Sequence, residues 1–237
     1  MSKRSAPAIS GLDFATSLAF VFPLLLAYEV GVVFADTING VDFLTRALAA
    51  ATSGDRRLYL LIHAGLAVLY LVSILVLRHR RKLDVEAFLP MLIESAIYAL
   101  TLGSLIVFVM DNLFGLGRFL SASLSIGELG RVLVTSLGAG VHEEIVFRLL
   151  LFGGGAAALR WLGFAVGVAA WTAAIGSSVL FSLAHHIGPL GDPFELSVFT
   201  YRALAGLVFV AIYYFRSFAH AVYTHFLYDV YVLTLHG

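Results

Sequence analysis

Apolar stretches long enough to cross a bilayer recur along this chain, and no other feature constrains its fold as strongly. Seven are legible, roughly 12–35, 57–77, 87–110, 129–152, 163–186, 197–215 and 217–236. Each is rich in Leu, Val, Ala and Phe and approaches the ~20 residues a helix needs to traverse a hydrocarbon core of about 30 Å. Backbone amides in lipid must find partners within their own segment, so these stretches predict helices. The short alternating strands of a membrane barrel are absent. The chain is 60% hydrophobic and 13% charged, against roughly 45–50% and 25% for soluble domains. That balance excludes both a water-soluble enzyme and a disordered chain. Fifteen basic and fifteen acidic residues cancel, leaving no global field to attract nucleic acid. With no cysteine, disulfides, thiol nucleophiles and Cys-based metal sites are excluded together. The expectation is an all-α polytopic membrane bundle of about seven (six to eight) transmembrane helices, one domain over 1–237.

The first apolar run has a core of about 20 residues, longer than the roughly 7–15 of a signal-peptide core, and reads as a retained helix. Arg78, Arg80, Arg81 and Lys82 form the densest basic cluster, and Lys3 and Arg4 mark the N-terminus. The positive-inside rule then puts the N-terminus in the cytoplasm, with Arg46, Arg56 and Arg57 opposing. Seven helices leave the C-terminus outside; an eighth short or re-entrant helix around 37–50 or 112–125 reverses that end. Gly153, Gly154 and Gly155 lack the Lys-Ser/Thr ending of a phosphate loop and read as a connection.

Ionisable residues inside spanning helices are costly and point to function. The fourth run holds His142, Glu143, Glu144 and Arg148 near its middle. Glu144 and Arg148, four apart, share a helix face and can pair. Glu143 is turned by about 100° from Glu144 and is left to accept a proton as a general base. The fifth run ends with Phe181 and His185 in the same spacing, so the ring can pack beneath the imidazole; His186 points elsewhere. In the seventh run His225 and Asp229 lie one turn apart, and a carboxylate beside an imidazole fixes its tautomer. Glu29 and Glu94 are single acids expected to pair with Arg or Tyr of neighbouring helices, His63 a packed helix histidine, and Arg202 a side chain snorkelling to the interface. Drawn with these ends, His185 is near the end of its helix while Glu143 is central. Their meeting requires the 163–186 helix to be tilted, displaced or shifted by several residues.

There is no Gly-x-Ser-x-Gly elbow, and the His142-Glu143 start of a zinc-protease motif fails at Val146. For a peptide hydrolase that leaves water as the nucleophile, activated by carboxylate or by metal. Glu143, Glu144, His185, His225 and Asp229 offer oxygen and nitrogen donors suited to Zn²⁺, with Glu143, His185 and His225 as the core set; a metal-free site is favoured. A proton-coupled transporter would also place acids and histidines at mid-membrane, but usually with a repeat between halves. A metal- or chromophore-binding protein using His63, His185, His186 and His225 gives Glu143, Glu144 and Arg148 no purpose.

Glu-Glu-x-x-x-Arg at 143–148, Phe-x-x-x-His at 181–185 and His-x-x-x-Asp at 225–229, in that order on three membrane helices, resemble the CPBP family of intramembrane proteases, which includes the type II CAAX prenyl proteases and the bacterial Abi proteins. The resemblance covers roughly 130–236, making 129–237 a protease core and 1–128 variable N-terminal helices. It implies an intramembrane endopeptidase without cofactor, acting on a membrane-associated, possibly lipidated, peptide or protein substrate in a membrane, expected to be the bacterial inner membrane. Glu143 would activate water shared with His185, Glu144 and Arg148 would form an orienting ion pair, and His225 with Asp229 would stabilise the oxyanion. Most relatives carry Asn where this chain has Asp229, so Asp229 must be protonated there or act through His225.

Overall fold

The computed structural model describes residues 12–35, 38–40, 42–78, 82–114, 129–187 and 191–235. All regular structure among them is helical: α1 (Phe14–Ala35), α2 (Phe43–Ala51), α3 (Arg56–Leu77), α4 (Phe88–Val109, prolonged by a wider turn over Met110–Phe114), α5 (129–161), α6 (Val166–Ala184), α7 (Leu196–Phe215) and α8 (Phe218–Leu235). Every predicted apolar stretch is a helix. α1, α3, α4, α6 and α7 are long and apolar enough to cross a membrane. α5 and α8 are the two that carry the central ionisable residues. The extra short helix expected around 37–50 is α2, whose nine residues reach only about 13 Å at 1.5 Å per residue. Its alternative at 112–125 lies, from residue 115 onward, outside the described residues, as do Lys3, Arg4, Arg80 and Arg81.

The bundle keeps an apolar core, including Met91, Leu102, Ile106 and Phe209, but also turns large apolar side chains outward and buries small polar ones. Phe34 is 80% exposed, Leu61 71% and Trp171 69%, whereas Thr16, Ser95, Ser136, Ser182 and Thr224 are fully buried. In lipid, large apolar side chains gain nothing by hiding, and small residues at the interfaces let backbones approach closely. Capping sets the loop on one side: Asp42 accepts from the Thr45 amide at the start of α2, and Asp55 from Arg57 and Leu58 at the start of α3. Gly163, with φ 95°, makes the sharp turn between α5 and α6, a conformation that suits a residue without Cβ.

α5 departs from the expected plan in two ways. It runs on nine residues past the predicted end at 152, and Gly153–Gly155 lie inside it instead of forming a connection. At Gly153 a neighbour crowds the backbone, since a Cβ there would come within 3.2 Å of the Tyr213 hydroxyl, while Gly154 and Gly155 stand at ordinary contact distances. The central stretch Ala139–Gly154 is wound as a π-helix, a rare form that occurs mostly at functional sites.

α5 packs against α1, α6 and α8, while α8 packs against α1, α4, α5 and α7. The α5–α8 contact is backbone on backbone. A Cβ on Gly140 would meet Phe226 Cβ at 2.9 Å and the Val222 carbonyl oxygen at 3.0 Å. α6 and α7 meet likewise at Gly206, where a Cβ would lie 2.9 Å from Ser178 Cβ. Replacing Gly140 by Val should therefore separate α5 from α8. The expected outcome is a loss of about 1–3 kcal/mol or more from overpacking, read as a lower midpoint of thermal unfolding in detergent than for Gly130→Val, where a Cβ meets open space.

Candidate active site

Four helices and one linker converge on the six singled-out side chains. Glu143, Glu144 and Arg148 come from the π-wound part of α5, His185 from the C-terminal cap of α6, and His225 and Asp229 from α8. α7 adds Phe209, and the linker after α1 adds Asn39.

Depth in the bundle explains the meeting that the drawn helix ends made difficult. Phe152 packs edge-on against Tyr213 and Tyr214 at the end of α7, so the α7–α8 turn is level with Phe152 and not with the end of α5. From that level Glu143 is nine residues along α5, and His225 is eight beyond Ser217. α6 starts at Val166 and its last turn reaches the same height. No large tilt is needed. Gly188 and Pro189, which follow α6 in sequence, lie outside the described residues.

Arg148 is 1% exposed and Glu144 is fully buried; Arg148 Nε lies 3.2 Å from Glu144 Oε2. The guanidinium carbon sits 4.3 Å from the Phe181 ring centre and 5.0 Å from that of Phe209, a cation between two π faces. The other Glu144 oxygen, Oε1, is 2.7 Å from His225 Nδ1. A carboxylate only accepts, so Nδ1 carries the hydrogen there. The expected tautomer control by Asp229 is thus exercised by Glu144, and Asp229 Oδ2 stands 3.7 Å from the other nitrogen, Nε2. Phe209 stacks on the His225 ring at 4.5 Å, fixing its plane. Phe181 lies edge-on to both His185 and His225, at 5.0 and 5.9 Å. His185 Nδ1 is 2.9 Å from the Phe181 carbonyl oxygen, which forces the hydrogen onto Nδ1 and turns Nε2 inward as an acceptor in the neutral ring.

Glu143 is 4% exposed. Its Oε1 accepts from Asn39 Nδ2 at 3.0 Å. Its Oε2 is buried without a hydrogen-bond partner and faces His185 Nε2 at 3.7 Å and His225 Nε2 at 3.9 Å. One oxygen is held and the other is aimed between two imidazoles.

Asn39 was not among the residues singled out in the sequence. It stands alone in a linker, outside any helical periodicity, and its 104-residue separation from Glu143 leaves no local signal. The remaining ionisable residues find partners elsewhere. Glu94 binds Tyr98 and Arg216, as expected of a single acid. Arg202, expected to snorkel, is held by Asp192 at 2.6 Å in the loop before α7. His63 is not merely packed but lies 3.0 Å from Glu29. Among the described residues, the acid–imidazole group with ligand atoms all within 4.8 Å of one another is Glu29, Asp42 and His142, not the set at Glu143.

Residues 125–231 match the family model described as type II CAAX prenyl endopeptidase Rce1-like. No curated protein and no solved structure matches the chain. The matched stretch runs from just before α5 into the last turns of α8 and contains all six singled-out side chains. Over that stretch, a little under half of the chain, the protein is similar to the Rce1-like type II CAAX prenyl endopeptidases.

Proposed function

We propose that the protein is an intramembrane endopeptidase that hydrolyses a peptide bond of a membrane-associated or lipid-modified substrate with water as the nucleophile. The reading rests above all on Glu143 Oε2, buried, without a hydrogen bond, and facing two imidazole nitrogens at distances too long for direct hydrogen bonds. Those separations suit a water molecule that touches all three groups.

In this mechanism Glu143 takes a proton from water as its oxygen attacks the scissile carbonyl carbon, with His185 Nε2 accepting from the same water. The carbonyl oxygen becomes an oxyanion. His225, with Nδ1 committed to Glu144, presents Nε2 toward Glu143 Oε2, and when that nitrogen is also protonated it donates to the oxyanion. Collapse of the intermediate breaks the C–N bond. Glu143 passes its proton to the departing amine, leaving a carboxylic acid and an amine. Glu144 and Arg148 orient His225 and do not touch the substrate. Asp229 acts through His225, since an ionised carboxylate beside the oxyanion would oppose it. We further assign the protein to the bacterial inner membrane with its N-terminus in the cytoplasm, and water activation to Glu143 without a metal.

Three outcomes are expected. Glu143→Gln, His185→Ala and His225→Ala should each lower cleavage of a membrane-peptide substrate by about 10²–10⁴, with metal content unchanged from the unsubstituted protein. Loss of a bound ion in all three would instead shift water activation to Zn²⁺ held by Glu143, His185 and His225. Full activity in Glu143→Gln would end the proposal. Asn39→Ala should slow turnover while the unfolding midpoint stays near that of the unsubstituted protein, because it frees one oxygen of Glu143 without opening the core. Arg148→Met should leave Glu144 buried without its cation, held only by His225, and cost about 3–5 kcal/mol, visible in thermal unfolding; Arg148→Met with Glu144→Gln should recover part of it.

A further inference from the structure

A second polar cluster lies on the opposite flank of α5 from the histidines. A cavity of about 680 Å³ between α1, α3 and α5 has apolar walls, among them Phe22, Leu25 and Leu60, and takes its ionisable lining from Glu29, Asp42, His63 and His142. Glu29 comes from α1, Asp42 from the cap of α2, His63 from α3 and His142 from α5.

The two carboxylates lack a cation of their own. Asp42 is 1% exposed, and its Oδ2 is buried without a hydrogen-bond partner. Among the described residues the ion-pair partners of Glu29 and Asp42 are histidines, with no arginine or lysine. Buried carboxylates need a balancing positive charge. The histidines do not supply hydrogen bonds in their neutral form. His63 Nδ1, 2.9 Å from the Tyr59 carbonyl oxygen, must donate there. Its Nε2 then turns a lone pair to Glu29 Oε2 at 3.0 Å, acceptor against acceptor. His142 Nε2 is 3.6 Å from Asp42 Oδ1 and 3.8 Å from Glu29 Oε1, beyond hydrogen-bond range. With metal–ligand bonds of about 2.1 Å, neighbouring donors of a tetrahedral zinc ion stand roughly 3.4 Å apart. These separations are close to that.

We propose that Glu29, Asp42 and His142 form a divalent transition-metal site, with His63 set against the second Glu29 oxygen, distinct from the groups assigned to water activation. Two carboxylate oxygens and one imidazole nitrogen, with the fourth position left open, suit Zn²⁺. Outer partners that orient the ligands are present: the Tyr59 hydroxyl donates to Glu29 Oε2 at 2.9 Å, the Thr45 amide to Asp42 Oδ1 at 2.9 Å, and the Tyr59 carbonyl holds His63. Such partners fix ligand geometry in metal sites generally. Glu29 and His142 side chains are each 12% exposed, and the cavity supplies the entry path. The role is to tie the linker after α1 to α5. The Asp42 amide donates to the Asn39 carbonyl at 3.2 Å, and Asn39 in turn holds Glu143, so an ion on Asp42 and His142 fixes the turn that presents Asn39.

The test is a titration of the detergent-purified, EDTA-stripped full chain with Zn²⁺, followed by calorimetry and thermal unfolding. The expected result is one saturable equivalent with a raised unfolding midpoint. Asp42→Asn, Glu29→Gln and His142→Ala should each weaken binding by at least tenfold, and Tyr59→Phe by about 10–100-fold through the outer shell. Glu143→Gln and His185→Ala should bind as tightly as the unsubstituted protein. Absence of saturable binding by the unsubstituted protein overturns the proposal. So does binding lost in Glu143→Gln or His185→Ala but kept in Asp42→Asn. Should Asp42→Asn fail to fold, the unsubstituted protein and Tyr59→Phe still decide the question.

Discussion

A guanidinium buried within a membrane bundle is the constraint on which the rest of this structure depends. Taking Arg148 out of water costs several kcal/mol, and that cost is offset only by the groups packed around it. Glu144, four residues away on the same helix, supplies the charge. Phe181 of α6 and Phe209 of α7 supply the π faces that enclose it. His225 of α8 completes the network by donating to the far oxygen of Glu144. Each partner lies on a different helix, so solvating one cation fixes the mutual rotation of α5, α6, α7 and α8. The same rotations aim the Nε2 atoms of His185 and His225 at Glu143. Orientation of the two imidazoles toward Glu143 is a by-product of compensating Arg148.

That network operates only if the helices are close enough, which explains why the approaches around it are made by glycine and serine. Gly140 lets the α5 backbone lie on α8 just one turn before Glu143 and Glu144, and Gly206 does the same for α7 against Ser178 of α6. Lipid exerts no hydrophobic squeeze between helices, so close packing and polar contacts must supply the cohesion. Small residues supply the first and Arg148–Glu144–His225 the second.

Much of this was legible in the sequence because it is encoded within single helices. The seven apolar runs are readable as helices since lipid demands continuous apolar stretches. The pairs Glu144–Arg148 and Phe181–His185 are readable since one helical turn brings them together. His225 and Asp229 do share a face, but the ring gives its short hydrogen bond to Glu144 on another helix, and no spacing within α8 could indicate that. Asn39 and Asp42 lie in and beside a linker without periodicity, and their partners sit about a hundred residues away. Glu29 and His63 read as isolated polar residues on apolar helices for the same reason. The Gly153–Gly155 run misled because glycine's helix-breaking tendency, real in water, is overridden where Tyr213 crowds the backbone and lipid penalises any unpaired amide.

The unusual winding of α5 draws these strands together. His142, Glu143 and Glu144 are consecutive, yet they serve three different sets of partners. His142 faces Glu29 and Asp42, Glu143 faces Asn39, His185 and His225, and Glu144 faces Arg148 and His225. In an α-helix three such residues fan out over about 200°, which would turn the outer two almost to opposite sides. The i→i+5 bonding of Ala139–Gly154 widens the helix and reduces the turn per residue, so neighbouring carboxylates can both reach His225, one at each ring nitrogen. An ordinary α-helix here would keep Arg148 on Glu144 but would swing Glu143 away from the two imidazoles. The local winding, not the composition of the motif, is what lets one helix carry both the charge network and the carboxylate that faces the two imidazoles.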